Sequence, residues 1–362
     1  MPDHLREITD YLSRPAPLLE DLAIIGSSGD PKPNPVLATT LFDGDLSSLR
    51  VLHLQSVRTQ LPWRNMVNLT SFLMYCVMRP RVTVRQLLDF FEGAPYLLDV
   101  NLGFATPVSG AQNGRLVSLA HLGRLHIYGF QPPSLLLDHL LIPAGAEMTT
   151  DLDSPGPDIE EHLPRSLDNL RNLSNFTRIS LRFDEGVSMR FTGPNGEVCM
   201  TSQSPGPDTT RSVIRSLAQL DTSTTKCLEI ISGDALSKNL CQALPSLKNL
   251  RTLTLSLCKN LPSFILALYP GLDSANPIVC PKLEELVFRT EQRFDIESMI
   301  MVAAARASGG APLKSVRIIN RGGELVPREE VRELLKYVLR VENDLEVSDE
   351  VHDYGGGGDG EA

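Results

Sequence analysis

The sequence predicts an α/β solenoid of about ten strands, with a curved, mainly parallel sheet inside and helices outside. Three observations point there. A short pattern (apolar, two residues, apolar, one residue, apolar) begins at Leu19, Leu49, Leu69, Leu97, Leu122, Leu137, Phe176, Thr225, Leu250, Leu283 and Leu313. Helix-like stretches lie between its copies: Thr83 to Phe91, Phe264 to Leu268 and Asp295 to Ala307. Pro17, Pro95, Pro245, Pro281 and Pro312 stand shortly before copies, where a chain entering a strand tolerates a fixed φ.

At 42% apolar content, three fixed apolar positions recur by chance about 26 times in a chain of this length. The alternation of strand and helix, at a spacing of roughly 29 residues, therefore carries more weight than the matches themselves. The unit at Leu250 is the most specific. Leu250, Leu253, Leu255, Cys258 and Leu261 form LxxLxLxxCxxL, the spacing of a leucine-rich repeat, in which Asn or Cys turns inward at the Cys258 position. One such unit cannot bury its apolar side alone, so neighbours must stack.

Two intervals are long. The one before Phe176 holds an acidic loop, Thr149 to Glu161, and a helix-like LPRSLDNLRNL. The one before Thr225 holds VSMRFTGPNGEVCMTS, a β-hairpin signal with Asn195-Gly196 at its turn. Both are expected as loops outside the stack. At the C-terminus, Val331, Leu334, Leu335, Val338 and Leu339 form a helical stripe after Pro327, predicting a capping helix over 327–340 that closes a domain spanning 1–341. At the other end, His4 to Leu12 reads as a short helix with Leu5, Ile8 and Leu12 on one side.

Charge is unevenly placed. The net charge is −10, but residues 342–362 hold eight acidic residues and no Lys or Arg, and are expected to be a disordered tail. The remainder has 36 acidic against 34 basic residues, so no broad field attracts nucleic acid or an anionic membrane. No segment has the roughly 18 uninterrupted apolar residues of a membrane span. MPDHLREITDYL carries charges where a signal peptide would be apolar, which places the chain in the cytoplasm or nucleus. Six dispersed cysteines with no CxxC pair argue for reduced core residues rather than a zinc site.

LRTLTLSLCKNLPSFILAL, CPKLEELVFRT, FDIESMIMVAAARASGGAPLKSVRI and LVPREEVRELLKYVLRVE, together with LLLDHLLIPAGAEM and FTGPNGEV, carry a resemblance over nearly the whole chain. It resembles the large fungal family of F-box proteins with leucine-rich-repeat-like domains. The resemblance implies a repeat domain that holds a protein substrate, while a helical F-box docks on the Skp adaptor of a cullin-RING ubiquitin ligase. Only 18 residues precede Leu19, and they contain no F-box. The expectation is thus the substrate-recognition part of such an adaptor, its F-box either upstream of Met1 or lost. The alternative is a stand-alone interaction scaffold.

Catalytic, cofactor and metal sites are not expected. His121 and His126 are five apart and Asp138 adjoins His139, but these fall within repeat units. Asp151 and Asp153 form a DxD in a Ser/Pro/Gly-rich stretch, and Gly26 to Gly29 lacks the Lys-Ser/Thr of a phosphate loop. The better candidates are outward residues between the apolar positions: His53, Gln55, Asn101, His126, Tyr128, Arg182, Glu229, Glu285, Arg289 and Arg317, with Ser180 and Thr254. On a parallel sheet they line one face, spaced about 4.8 Å per strand, a mixed-polarity surface suited to a protein partner.

Overall fold

The computed structural model describes residues 11–26, 41–57, 65–75, 82–103, 114–129, 132–152, 159–184, 186–203, 209–232, 240–258, 261–269, 278–291, 293–321 and 325–346. Its first strands are β1 (Asp21–Ile25), β2 (Val51–Gln55), β3 (Ser71–Tyr75) and β4 (Asp99–Gly103). After β5 (Val117–Ser118) come β6 (Arg124–Tyr128), β7 (Leu140–Leu141) and β8 (Glu147–Leu152). Then follow β9 (Arg178–Phe183), β10 (Val187–Gly193), β11 (Gly196–Ser202), β12 (Cys227–Ser232) and β13 (Thr252–Ser256). β14 (Glu285–Thr290), β15 (Ser315–Arg321) and β16 (Arg340–Glu346) complete the set.

The fold is α/β around one large sheet of fourteen strands, in the order β1-β2-β3-β4-β6-β8-β11-β10-β9-β12-β13-β14-β15-β16. Every pairing in it is parallel except those of β10, which runs antiparallel to both β9 and β11. β5 and β7 form a separate two-stranded pair.

Ten of the eleven expected apolar copies enter the main sheet, and their core positions are buried, as at Leu52 and Leu54, Phe72 and Met74, Leu253 and Leu255, Leu286 and Phe288, except in β1, where Leu19 and Ile24 are half-buried. A turn precedes the strand in eight copies. The N–H of the first apolar residue donates three residues back, as in Leu49 to Leu46, Leu69 to Met66, Leu122 to Leu119 and Leu250 to Leu247. The recurring unit is therefore longer than the sequence pattern by one buried residue, three positions upstream. At the leading rim, one carbonyl accepts two N–H groups from the following unit, as when Arg50 and Val51 donate to Glu20 and Arg251 and Thr252 donate to Lys226. This arrangement occurs at eight places among the described residues and satisfies the backbone where strand gives way to turn.

The helices lie in the connections: α1 (Val84–Glu92), α2 (Ser134–Leu137), α3 (Thr209–Gln219), α4 (Leu261–Ala267), α5 (Ile296–Ser308) and α6 (Arg328–Leu334). Thr83 and Gln86 form a capping box on α1, and Asp295 caps α5 through Ser298 N–H. Phe90 of α1 packs on Phe72 of β3 with ring centroids 4.3 Å apart, joining helix to sheet. No helix among the described residues is long and apolar enough to cross a membrane.

The structure departs from expectation in five places. The copy at Leu137 is not a main-sheet strand: Leu137 ends α2, and Leu140 pairs with Val117 instead. The stretch from Thr149, read as loop, belongs to β8, where Met148, Thr150 and Leu152 alternate inward. The hairpin β10–β11 is not outside the stack but inside the sheet, filling the gap between β8 and β9. Its turn falls at Pro194-Asn195, closed by Gly193 opposite Gly196, and the Asn195 amide donates to Ser174 O at 3.0 Å. LPRSLDNLRNL forms two 3-10 turns rather than a helix, and the side-chain amides of Asn169 and Asn172 donate to the Asp138 and Ala146 carbonyls.

The fifth departure is the C-terminal cap. α6 is two turns long, burying Leu334 while Leu335 and Leu339 are exposed. The chain then adds β16, which runs into the segment expected as tail from 342. Asn343 anchors it, donating to Val326 O at 3.0 Å. Residues 1–10, including His4, Leu5 and Ile8, and residues 347–362 lie outside the described residues, as do Asp153, Cys76 and Ser27 to Gly29. Within the expected N-terminal helix, residues 11–13 are helical and Leu12 packs against the core.

Candidate functional site

Side chains alternate across a strand, so burying one face of each strand delivers the intervening residues to the other. The register aligns those residues in rows. One row runs His53, Leu73, Asn101, His126, Thr149 across β2 to β8, and continues Cys199, Arg190, Ser180, Glu229, Thr254, Val287, Arg317 to β15. A second row carries Gln55, Tyr75, Gly103, Tyr128 and Asp151, then Thr201, Ser188, Arg182, Ile231, Ser256 and Arg289. Every residue expected on the outward face lies on it, with Glu285 one row lower.

The face has two characters. From β2 to β6 these two rows carry no acid, lysine or arginine. His126 and Tyr128 stand edge to face at 6.3 Å, and the Tyr75 ring lies over Gly103, where a Cβ would come within 1.9 Å of it. Gly103 thus makes room for an aromatic ring on the face.

From β8 to β14 the face is charged and sinks into an open trough of about 1020 Å³. Arg178, Arg182, Arg190 and Arg289 line it, with Asp151, Asp184, Glu197 and Glu229. Arg182 pairs with Asp184 at 3.7 Å, Arg190 with Glu197 at 3.5 Å and Arg289 with Glu229 at 3.6 Å. These long contacts on half-exposed side chains are weak, of the kind worth about 0–1 kcal/mol. Ser180 adds a hydrogen bond to Glu229 at 3.4 Å. The trough therefore offers both signs of charge, held loosely enough to exchange partners.

Of the expected residues, the structure gathers Ser180, Arg182, Glu229 and Arg289 in the trough. It leaves His53, Gln55, Asn101, His126 and Tyr128 on the uncharged half. Arg317 is engaged with Glu342 at 3.1 Å and Asp344 at 3.3 Å, and Glu285 accepts from Thr252 at 3.2 Å. Arg178, Arg190 and Glu197 were missed from the sequence, and Asp151 was weighed only as part of a DxD, because β8, β10 and β11 were not placed in the sheet. The alternation of EMTTDL was the available signal for β8.

Several titratable groups lie away from this face. His162 is fully buried, its Nδ1 bonded to Thr150 Oγ1 at 2.6 Å, and desolvation lowers its pKa to about 3. Burial pushes the thiols of Cys241, Cys258 and Cys280 up to about 11, 12 and 12, so they stay protonated. Cys258 turns inward as expected, 3.5 Å from Ser256 O. His139 Nδ1 lies 2.9 Å from Arg115 O, and His121 stacks near Tyr96 at 5.3 Å. No group of three His, Cys, Asp or Glu poised for a metal occurs among the described residues. In comparisons with known proteins, no family model matches the chain, and no curated protein matches it.

Proposed function

We propose that the chain is a leucine-rich-repeat-like solenoid whose open sheet face recognises another protein. The observation carrying this reading is the recurrence of one unit: an apolar turn, a shared rim carbonyl and a short strand whose outward residues fall in continuous rows. Such rows form an extended, mixed-polarity surface of the kind that repeat proteins present to partners. Within that reading, the family resemblance makes the domain the substrate-recognition part of an F-box-type ubiquitin ligase. A stand-alone scaffold is the second reading, favoured if no adaptor is engaged.

Affinity capture from cells of the source organism tests both, using the full gene product and the trough variant R182E/R289E. Protein recognition predicts a discrete set of captured proteins that the variant loses. The ligase reading predicts a Skp-type adaptor retained by both forms. An identical capture profile for the two forms overturns the role of the face, and absence of the adaptor leaves the scaffold reading.

A further inference from the structure

We infer that the leading rim of β9, β12 and β13 docks an acidic segment of the partner protein. This rests on the protein-recognition reading and names the chemistry of what is recognised.

Three exposed bases sit on three neighbouring strands there. Arg178 of β9 pairs in register with Cys227 of β12, Lys226 N–H donates to Thr177 O at 2.8 Å, and Arg251 N–H donates to Lys226 O at 2.7 Å. Lys226 and Arg251 therefore share one row with backbones about 4.8 Å apart, so two consecutive carboxylates span them, while Arg178 falls in the next row and lines the trough. Lys248 and Lys282, in the turns before β13 and β14, extend it. Lys282 donates to Asn249 Oδ1 at 2.6 Å, and the Asn249 amide donates to Ser223 O at 2.6 Å, tying the turns of three units together beneath the bases.

The nearby carboxylates offset only part of this charge. Glu284 is bound to Lys314 at 2.9 Å, and this contact holds its pKa below the usual range. Asp221 accepts from Ser223 N–H at 2.9 Å. Against the five bases stand the charges of Asp221 and Glu285, with Glu284 shared between Lys314 and Arg251, which leaves the patch a positive excess. The same rim on β1 and β2 differs: Glu20 faces Arg50 at 3.9 Å, and the two cancel.

A nucleic acid is the weaker match. Among the described residues these five bases carry no aromatic side chain between them on which a nucleobase would stack. A short acidic stretch of protein meets only the local field.

The test is fluorescence anisotropy of a labelled poly-Glu peptide with the full chain at low salt. Binding is expected to weaken with salt and to fall at least roughly tenfold in K226E/R251E. R50E, on the same rim of β2, should leave binding within about twofold. Thermal melting of each variant checks that these exposed substitutions leave the fold intact. Absence of binding by the parent chain, or equal weakening by R50E, overturns the inference. So does an oligothymidylate that binds more tightly through Lys226 and Arg251. If the peptide fails while R182E/R289E still loses its captured proteins, the rim inference alone is refuted.

Discussion

Acid should weaken this fold through one histidine. His162 is fully buried against β8, its Nδ1 bonded to Thr150 at 2.6 Å and its Nε2 without a partner. Burial lowers its pKa to about 3 from an ordinary 6.5. Between these values the unfolded chain carries a proton that the folded chain refuses, so stability falls as pH drops below 6.5. One pH unit corresponds to 1.36 kcal/mol, which gives a loss of about 2 kcal/mol at pH 5. His162→Leu alone strands the Thr150 hydroxyl, so the comparison is T150V/H162L, which removes both polar groups together. Denaturant unfolding from pH 7 to pH 5, with hydrogen exchange read at the β8 amides, should show the parent losing about 2 kcal/mol more than the double variant. Equal losses in the two proteins would show that His162 takes up its proton in the folded state.

Three further predictions follow from buried positions. Leu334 is fully buried and Leu335 is 44% exposed, so Leu334→Asp should release β16 from hydrogen-exchange protection while Leu335→Asp changes stability by less than about 0.5 kcal/mol. The fully buried Arg306 donates to the carbonyls of Val279 and Cys280 at 2.8 and 2.9 Å, bracing the turn before β14. Arg306→Ala should cost about 3 kcal/mol in thermal or denaturant unfolding, and Arg306→Met less, because it refills the volume and carries no charge. Thr225 occupies a fully buried apolar slot, and its hydroxyl has no partner. Thr225→Val should therefore raise stability by about 1 kcal/mol, and a lower melting temperature would refute that.

Local grammar is legible in the chain itself. Apolar spacing of three then two residues specifies a turn feeding a short strand, and that spacing located ten main-sheet strands and the outward rows between them. Capping residues did the same for α1 and α5: Thr83 with Gln86, and Asp295 with Ser298, act within one turn of chain. Leu334 and Leu335 mark the limit. Both fit a helical stripe, but only packing decides that one is buried and the other is not.

Tertiary structure decided pairings between segments far apart in the chain. The hairpin β10–β11 carries clear strand and turn signals, yet nothing local states that it fills the gap between β8 and β9. That insertion brings Arg190 and Glu197 into one trough with Arg182, and β8 adds Asp151, so the trough exists only once the strands are ordered. The same holds for Tyr75 over Gly103 and for the bases on the rim, which belong to different units and meet through backbone bonds between strands. Periodicity is a short-range property and selects elements; which elements become neighbours depends on long-range burial and on satisfying every rim carbonyl.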